Sequence, residues 1–304
     1  MTANSPAARP FRIVSDSGCN LPPWLIKRFG ISIIPTSYYS RTNPRVELLE
    51  DASASLDSDS IYTRMKNGAR FAVDSLDASS CRRFIADLIE KSDEDILFIF
   101  SSKGIGTSDK SIHSYFGDLN IQARNQKSSR SFVAIDSRSA GFGLGLLLME
   151  ASEMRESGAN INDVAQWVVD NRLYVCHWFV TTAAVGYPTS AKPLLMHLSA
   201  TGKLMVAKEQ VELDSRIEDS SKASPFGLGL EALLDAFRHR ADQPYHKSSV
   251  AIVHADNREA ASKMAELLDE HCGVTKPIIF DMEVNLGSRL GPGSVGVLFW
   301  GGPR

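Results

Sequence analysis

Short apolar runs set off by turn residues, alternating with amphipathic stretches, recur along this chain from Phe11 to Trp300. Phe11–Ser15 predicts a first strand, Pro22-Pro23 opens a helix that Gly30 stops, and ISIIPTSYYS predicts a second strand. The polar stretch RTNPRVELLEDASASLDSDS is expected as a surface connection into a helix near Ser60–Asn67, which ends at Gly68. FAVDSLDASSCRRFIADLIEKS carries a loop into a helix, with Ser79 or Ser80 as its cap. Ile96–Phe100 has no polar alternation, as expected of a strand buried on both faces of a parallel sheet. A helix over DKSIHSYFGDL and a strand over 131–137 follow. The apolar RSAGFGLGLLLMEASEMRESGA is a helix whose glycines suit close packing better than a dinucleotide turn, because their spacing and context are wrong for one.

The later part opens with the helix Ala159–Asn171 and the strand LYVCHWFVTT, where His177 is expected in the core or on the sheet face. KPLLMHLSATGKLMVAKEQVELDSRI predicts a helix end and then a hairpin-like pair, and GLGLEALLDAFRHRA an amphipathic helix. SSVAIVHAD is a strand, and the helix after it is capped by Asn257 and ended by Gly273. KPIIFDMEV is a strand, NLGSRLGPGS a linking stretch, and VGVLFW the last strand. Strands alternating with helices over 304 residues predict an α/β protein of two domains. The expected division is a flexible tail at 1–10, an N-terminal domain over 11–158 and a C-terminal domain over 159–304.

The chemistry concentrates where the central strand ends. In SSKGIGT, Ser101, Ser102 and Thr107 offer hydroxyls, and Gly104 and Gly106 allow close backbone approach, in the crevice where α/β sheets hold ligands. That is a candidate anion or carboxylate site, although serine and glycine after a strand are also ordinary turn chemistry. A net charge of −3 argues against a nucleic-acid surface. No apolar run reaches the roughly 20 residues of a membrane span, so stable membrane insertion is not expected. The start lacks the apolar core of a signal peptide, and four scattered cysteines suggest reduced thiols in a cytoplasmic protein. Neither cysteines nor histidines have metal-ligand spacing, so no metal is expected. An enzyme using the Ser101/Ser102 loop would need a Ser–His–acid grouping, a GxSxG elbow or a phosphate-binding GxxxxGK[ST], and none is readable.

Five stretches together resemble the bacterial DegV family: IVSDSGCNLP, SSKGIGT, DSRSAGFGLGLLLMEA, IVHADNREAA and GPGSVGV. The resemblance implies a two-domain α/β fold, with a parallel-sheet α/β/α domain before a mixed-sheet domain. One long-chain fatty acid, palmitate- or oleate-like, would lie in a tunnel between them, with no other cofactor. It implies a lipid-binding protein rather than an enzyme, with any phosphoryl transfer done by a separate fatty acid kinase subunit. Ser102 matches the family's carboxylate-binding serine, and Asp74-Ser75 is the best alignment to its TSxPS hydroxyl motif, with Ser79 or Ser80 as alternatives. Ser101, Gly106 and Thr107 complete the loop. Three positions depart from the pattern: Ile105 replaces a serine, Pro188 an arginine, and Arg289 the histidine before GPG. Arg289 keeps a cation there that can serve the carboxylate, or it caps a turn. The departures keep open a divergent scaffold subunit without lipid.

Overall fold

The structure is a computed structural model that describes residues 9–40, 49–50, 58–73, 76–105, 107–184, 193–207, 225–241 and 250–304. In chain order its first elements are β1 (Phe11–Asp16), α1 (Pro23–Phe29), β2 (Ser32–Ile34), β3 (Ser37–Ser40), β4 (Leu49–Glu50), α2 (Ser58–Lys66) and β5 (Phe71–Val73). Then come α3 (Ala78–Lys91), β6 (Asp95–Phe100), α4 (Asp109–Asn125), β7 (Phe132–Asp136), α5 (Phe142–Glu156) and α6 (Ile161–Asn171). The remainder is β8 (Val175–Thr181), β9 (Leu194–Leu198), β10 (Leu204–Val206), α7 (Pro225–Arg240), β11 (Ala251–His254), α8 (Arg258–Cys272), β12 (Ile278–Asp281), α9 (Val284–Leu290) and β13 (Val295–Trp300).

The strands form a parallel sheet β2-β1-β6-β7, a mixed sheet β10-β9-β8-β13-β11-β12, and a small antiparallel sheet β4-β3-β5. Within the mixed sheet only β11 and β12 run parallel. The expected α/β class, with one parallel and one mixed sheet, is therefore present. All six residues of β6 are buried because helices cover both faces of the sheet. On one face, Ile85 of α3 and Ile112 and Phe116 of α4 pack on Phe98 and Phe100. On the other, Ile13, Leu97 and Ile99 meet Leu25, Phe29, Leu144 and Leu147.

That second layer continues without a break into the mixed sheet, reaching Val175, Phe179, Val253 and Leu298. α5 is thus enclosed between two sheets, and so it carries no polar stripe along most of its length. Its glycines admit close neighbours: a Cβ at Gly143 would fall 2.0 Å from Nε2 of His177, and one at Gly145 2.9 Å from Leu21. α6 joins the same core through Ile161, Val164 and Val168, and its Trp167 ring lies edge-on to Trp300 at 6.0 Å. α7 and α8 cover the far face of the mixed sheet through Leu233, Phe237, Met264 and Leu268. The sequence division at 158/159 falls between α5 and α6.

Several local expectations change. The expected surface connection contains the short strand β4, and the loop expected before α3 begins with the strand β5. ISIIPTSYYS is two strands, because Pro35 has no N–H for a ladder and the chain passes there from the parallel sheet to the small one. The cap of α3 is neither Ser79 nor Ser80 but Asp77, whose Oδ1 accepts the Ser80 N–H at 2.9 Å. Leu194–Leu198 is a strand pairing with β8 rather than a helix end. A helix, α9, capped by Glu283, starts at Val284 at the end of the expected strand KPIIFDMEV and runs into NLGSRLGPGS as far as Leu290.

Candidate functional site

The loop after β6 begins with two buried serines whose side chains point to different partners. Asp16, 3% exposed, ends the neighbouring β1. Its Oδ2 accepts the Ser101 N–H at 2.7 Å, and its Oδ1 accepts the Ser101 hydroxyl at 2.5 Å and the Gly18 N–H at 2.9 Å. Burial raises the Asp16 carboxyl pKa, and the hydrogen bonds from Ser101 and Gly18 pull the other way. Ser101 therefore ties two strand ends together. At the end of β7, Asp136 closes its own turn, accepting the Arg138 N–H at 2.8 Å.

Ser102, fully buried, donates its N–H to the Ser139 carbonyl at 2.9 Å. Its hydroxyl donates to the Gly202 carbonyl at 3.1 Å and accepts the Gly104 N–H at 3.0 Å. Gly202 sits in the turn of the β9–β10 hairpin, so the mixed sheet reaches across to the parallel sheet at this point. The approach requires two glycines. A Cβ on Gly202 would stand 1.8 Å from the Ser102 hydroxyl, and one on Gly104 2.1 Å from the Gly202 carbonyl oxygen.

Arg289, in the last turn of α9, comes to the same loop. Its Nη2 donates to the Ile105 carbonyl at 2.7 Å and its Nε to Oδ1 of Asn285 at 3.4 Å. Nδ2 of Asn285 donates to that carbonyl too, at 3.4 Å. Burial pulls the guanidinium pKa down, with Glu283 opposing. Glu283 is also the α9 cap, accepting the Asn285 and Leu286 N–H groups at 2.5 and 2.8 Å. The segment before α9 is anchored from two sides, by the Tyr62 hydroxyl on the Met282 carbonyl at 2.7 Å and by Asn20 Oδ1 on the Glu283 N–H at 2.5 Å.

Of the residues singled out from the sequence, Ser101, Ser102 and Arg289 thus meet at one loop, with Thr107 half-buried just beyond it. Ser75 and Gly106 lie outside the described residues, as do Asp74 and Pro188. His177 is a core residue: its Nδ1 donates to the Val175 carbonyl at 3.0 Å and its Nε2 accepts the Ala140 N–H at 3.4 Å. Burial drives its pKa well below the usual value. Among the described residues no group of His, Cys, Asp or Glu could hold a metal.

Sequence reading missed the residues that press on this loop from afar. Arg138, at φ 51°, donates from Nη1 to the Ala200 carbonyl at 3.3 Å. Arg304 donates from Nη1 to Ser199 O at 3.2 Å and from Nη2 to Arg138 O and Arg172 O at 2.8 and 3.0 Å. Burial lowers the Arg304 pKa to about 10. The Thr201-Gly202-Lys203 tripeptide marks a turn, but no local signal says which surface that turn meets. A cavity of about 310 Å³ lined by Arg9, Phe11, Glu94 and Arg155 opens at the start of β1, at the opposite end of the strand from Asp16.

The sequence profile of the DegV family, described as uncharacterised proteins, matches residues 10–184. A DegV domain-containing protein of Clostridium perfringens is 22% identical over 308 residues, spanning 96% of this chain and 98% of its own. Among solved structures, a Thermotoga maritima protein described as revealing fatty acid binding function matches with a TM-score of 0.71 at 19% identity, covering 96% of this chain and 99% of that one. The Streptococcus pneumoniae fatty acid kinase B3 protein loaded with linoleic acid gives 0.71 at 15% identity, over 96% and 100% of the two chains. A Eubacterium eligens DegV family protein loaded with heptadecanoic acid gives 0.68 at 15%, with the same coverage. With the family profile matched over more than half its length, and relatives aligned nearly end to end, this chain belongs to the DegV family.

Proposed function

We propose that this protein binds one long-chain fatty acid without a covalent bond, holding the carboxylate at the Ser102 loop beside Arg289 and the acyl chain in a tunnel between its two α/β units. The observation that carries the reading is Arg289. It is a half-buried cation fixed to the Ile105 carbonyl, and its Nη1 makes no hydrogen bond to the described residues. A carboxylate beside it would return the stabilisation that burial removes from the guanidinium. Ser102 and Thr107, with Ser75 and the Gly106 backbone, would supply the remaining donors. Each buried methylene adds about 0.8 kcal/mol, so the tail supplies most of the affinity and the head group sets orientation. Solved relatives loaded with linoleic and heptadecanoic acids support this ligand class. The kinase-subunit relative supports presentation of the bound acid to a separate fatty acid kinase, which would carry out any phosphoryl transfer.

One observation favours the second reading, a scaffold subunit without lipid: the Ser102 hydroxyl is already bonded to Gly202. Serine catalysis has less behind it, since Ser101 donates to a carboxylate and neither hydroxyl has an imidazole partner among the described residues. Native mass spectrometry of purified protein, followed by denaturing lipid extraction, separates these readings. Stoichiometric fatty acid is expected, and Arg289→Ala should weaken palmitate binding about tenfold or more, on the scale of a lost charge-assisted hydrogen bond. A protein that carries no fatty acid and takes up neither palmitate nor oleate sinks the lipid reading. Unchanged binding in Arg289→Ala removes Arg289 from the head-group site.

A further inference from the structure

We infer that the β9–β10 turn is a latch competing with the ligand for Ser102: the Gly202 carbonyl occupies the hydrogen-bonding place of a carboxylate oxygen, and the turn must withdraw before an acid docks there. The inference rests on the fatty-acid reading and specifies how that site is regulated.

The Ser102 hydroxyl has one proton to give, and Gly202 O receives it at 3.1 Å. A carboxylate at Ser102 therefore needs that proton released. No slack exists for both occupants, since Gly202 already packs where a single added methyl would overlap the hydroxyl. The carbonyl is a neutral counterpart of the anion, aimed at the same donor.

The turn is held by a set of bonds weak enough to exchange. Arg138 grips Ala200 O at 3.3 Å, and Arg304 grips Ser199 O at 3.2 Å. The hairpin itself is short: β10 is three residues long, lies at the edge of its sheet among the described residues, and exposes Met205 to 46%. An edge strand of that length has few ladder bonds to lose when the tip lifts. Arg138 and Arg304 act on the turn, not on the head group. They are positioning residues whose loss should shift the latch toward open.

The arithmetic is that of a binding-competent minor state: the apparent affinity is the intrinsic affinity multiplied by the open fraction. Removing one latch hydrogen bond should tighten apparent palmitate binding about fivefold, the factor expected for a typical net hydrogen bond. Gly202→Ala should have the same direction of effect, because its methyl forbids the closed position.

The test measures palmitate binding to full-length wild type, Arg138→Ala and Gly202→Ala, with thermal melting to establish that each is folded. Hydrogen exchange of residues 199–204 is followed with and without palmitate. Tighter binding in either folded variant, with faster exchange of 199–204 when palmitate is added to wild type, supports the latch. So does a wild type that fails to bind beside a variant that succeeds. Equal or weaker binding in both variants, with 199–204 exchange unchanged by palmitate, overturns the latch and leaves the fatty-acid reading standing. Failure of all three proteins to bind removes both.

Discussion

At the scale of single residues, burial decides what charge this protein can carry. His177, on β8, is buried against the start of α5, with its ring against Gly143. Burial and the Arg304 charge hold it neutral far below the ordinary histidine value of 6.5. The unfolded chain takes up a proton near 6.5, whereas the folded one does not, so the unfolded state binds more protons below that pH. Stability is therefore complete above pH 6.5 and declines as the pH falls through 6.5 toward the folded value, by up to about 1.4 kcal/mol per pH unit from this one group. Urea unfolding between pH 7.5 and 5 should show that decline, and His177→Gln should flatten it even if it lowers stability throughout. His197 is shifted the same way by burial and leaves a residual slope. An unaltered slope in His177→Gln would mean the imidazole is not kept neutral.

At the scale of elements, α9 shows where the sequence was readable and where it was not. Its cap, Glu283, holds two N–H groups, so Glu283→Ala should cost about 1 kcal/mol of stability. Because α9 carries Arg289, palmitate affinity should fall as well. Asn160→Ala removes the corresponding cap of α6, from the Asn162 and Asp163 N–H groups, and should cost a similar amount without that loss. Denaturant titration and palmitate binding on both variants check the contrast. α9 was missed in NLGSRLGPGS because glycine normally argues against a helix. Gly287 is there because any side chain would strike the Tyr62 hydroxyl, a neighbour no local pattern reveals. The small sheet was missed for a different reason: β3 pairs with β4 and β5, strands of two and three residues, too short to show a period. Asn257 and Gly273, by contrast, bracket α8 as expected, because caps are local chemistry. The same division runs through the site. Serines 101 and 102 were visible as a loop after a buried strand, but their partners, Asp16 and Gly202, come from elsewhere in the chain.

At the scale of the whole molecule, layers alternate: helices α3 and α4, the parallel sheet, a helical layer with α1, α5 and α6, the mixed sheet, then α7 and α8. Alternation of strands and helices made this class legible before any contact was known. What it did not reveal is that the central helical layer serves both sheets at once. Leu144 and Leu147 belong to one continuous apolar cluster that contains Ile99 on one side and Phe179 on the other. Neither sheet owns a core that is complete without that layer. Heating should therefore melt the protein in one cooperative step, with calorimetric and van't Hoff enthalpies in agreement, rather than in two transitions, one per sheet. Two resolved transitions in a scanning calorimeter would contradict it. A chain cut at 158/159 would leave α5 with one half and a bare apolar sheet face on the other, and that face would drive the orphaned half to aggregate.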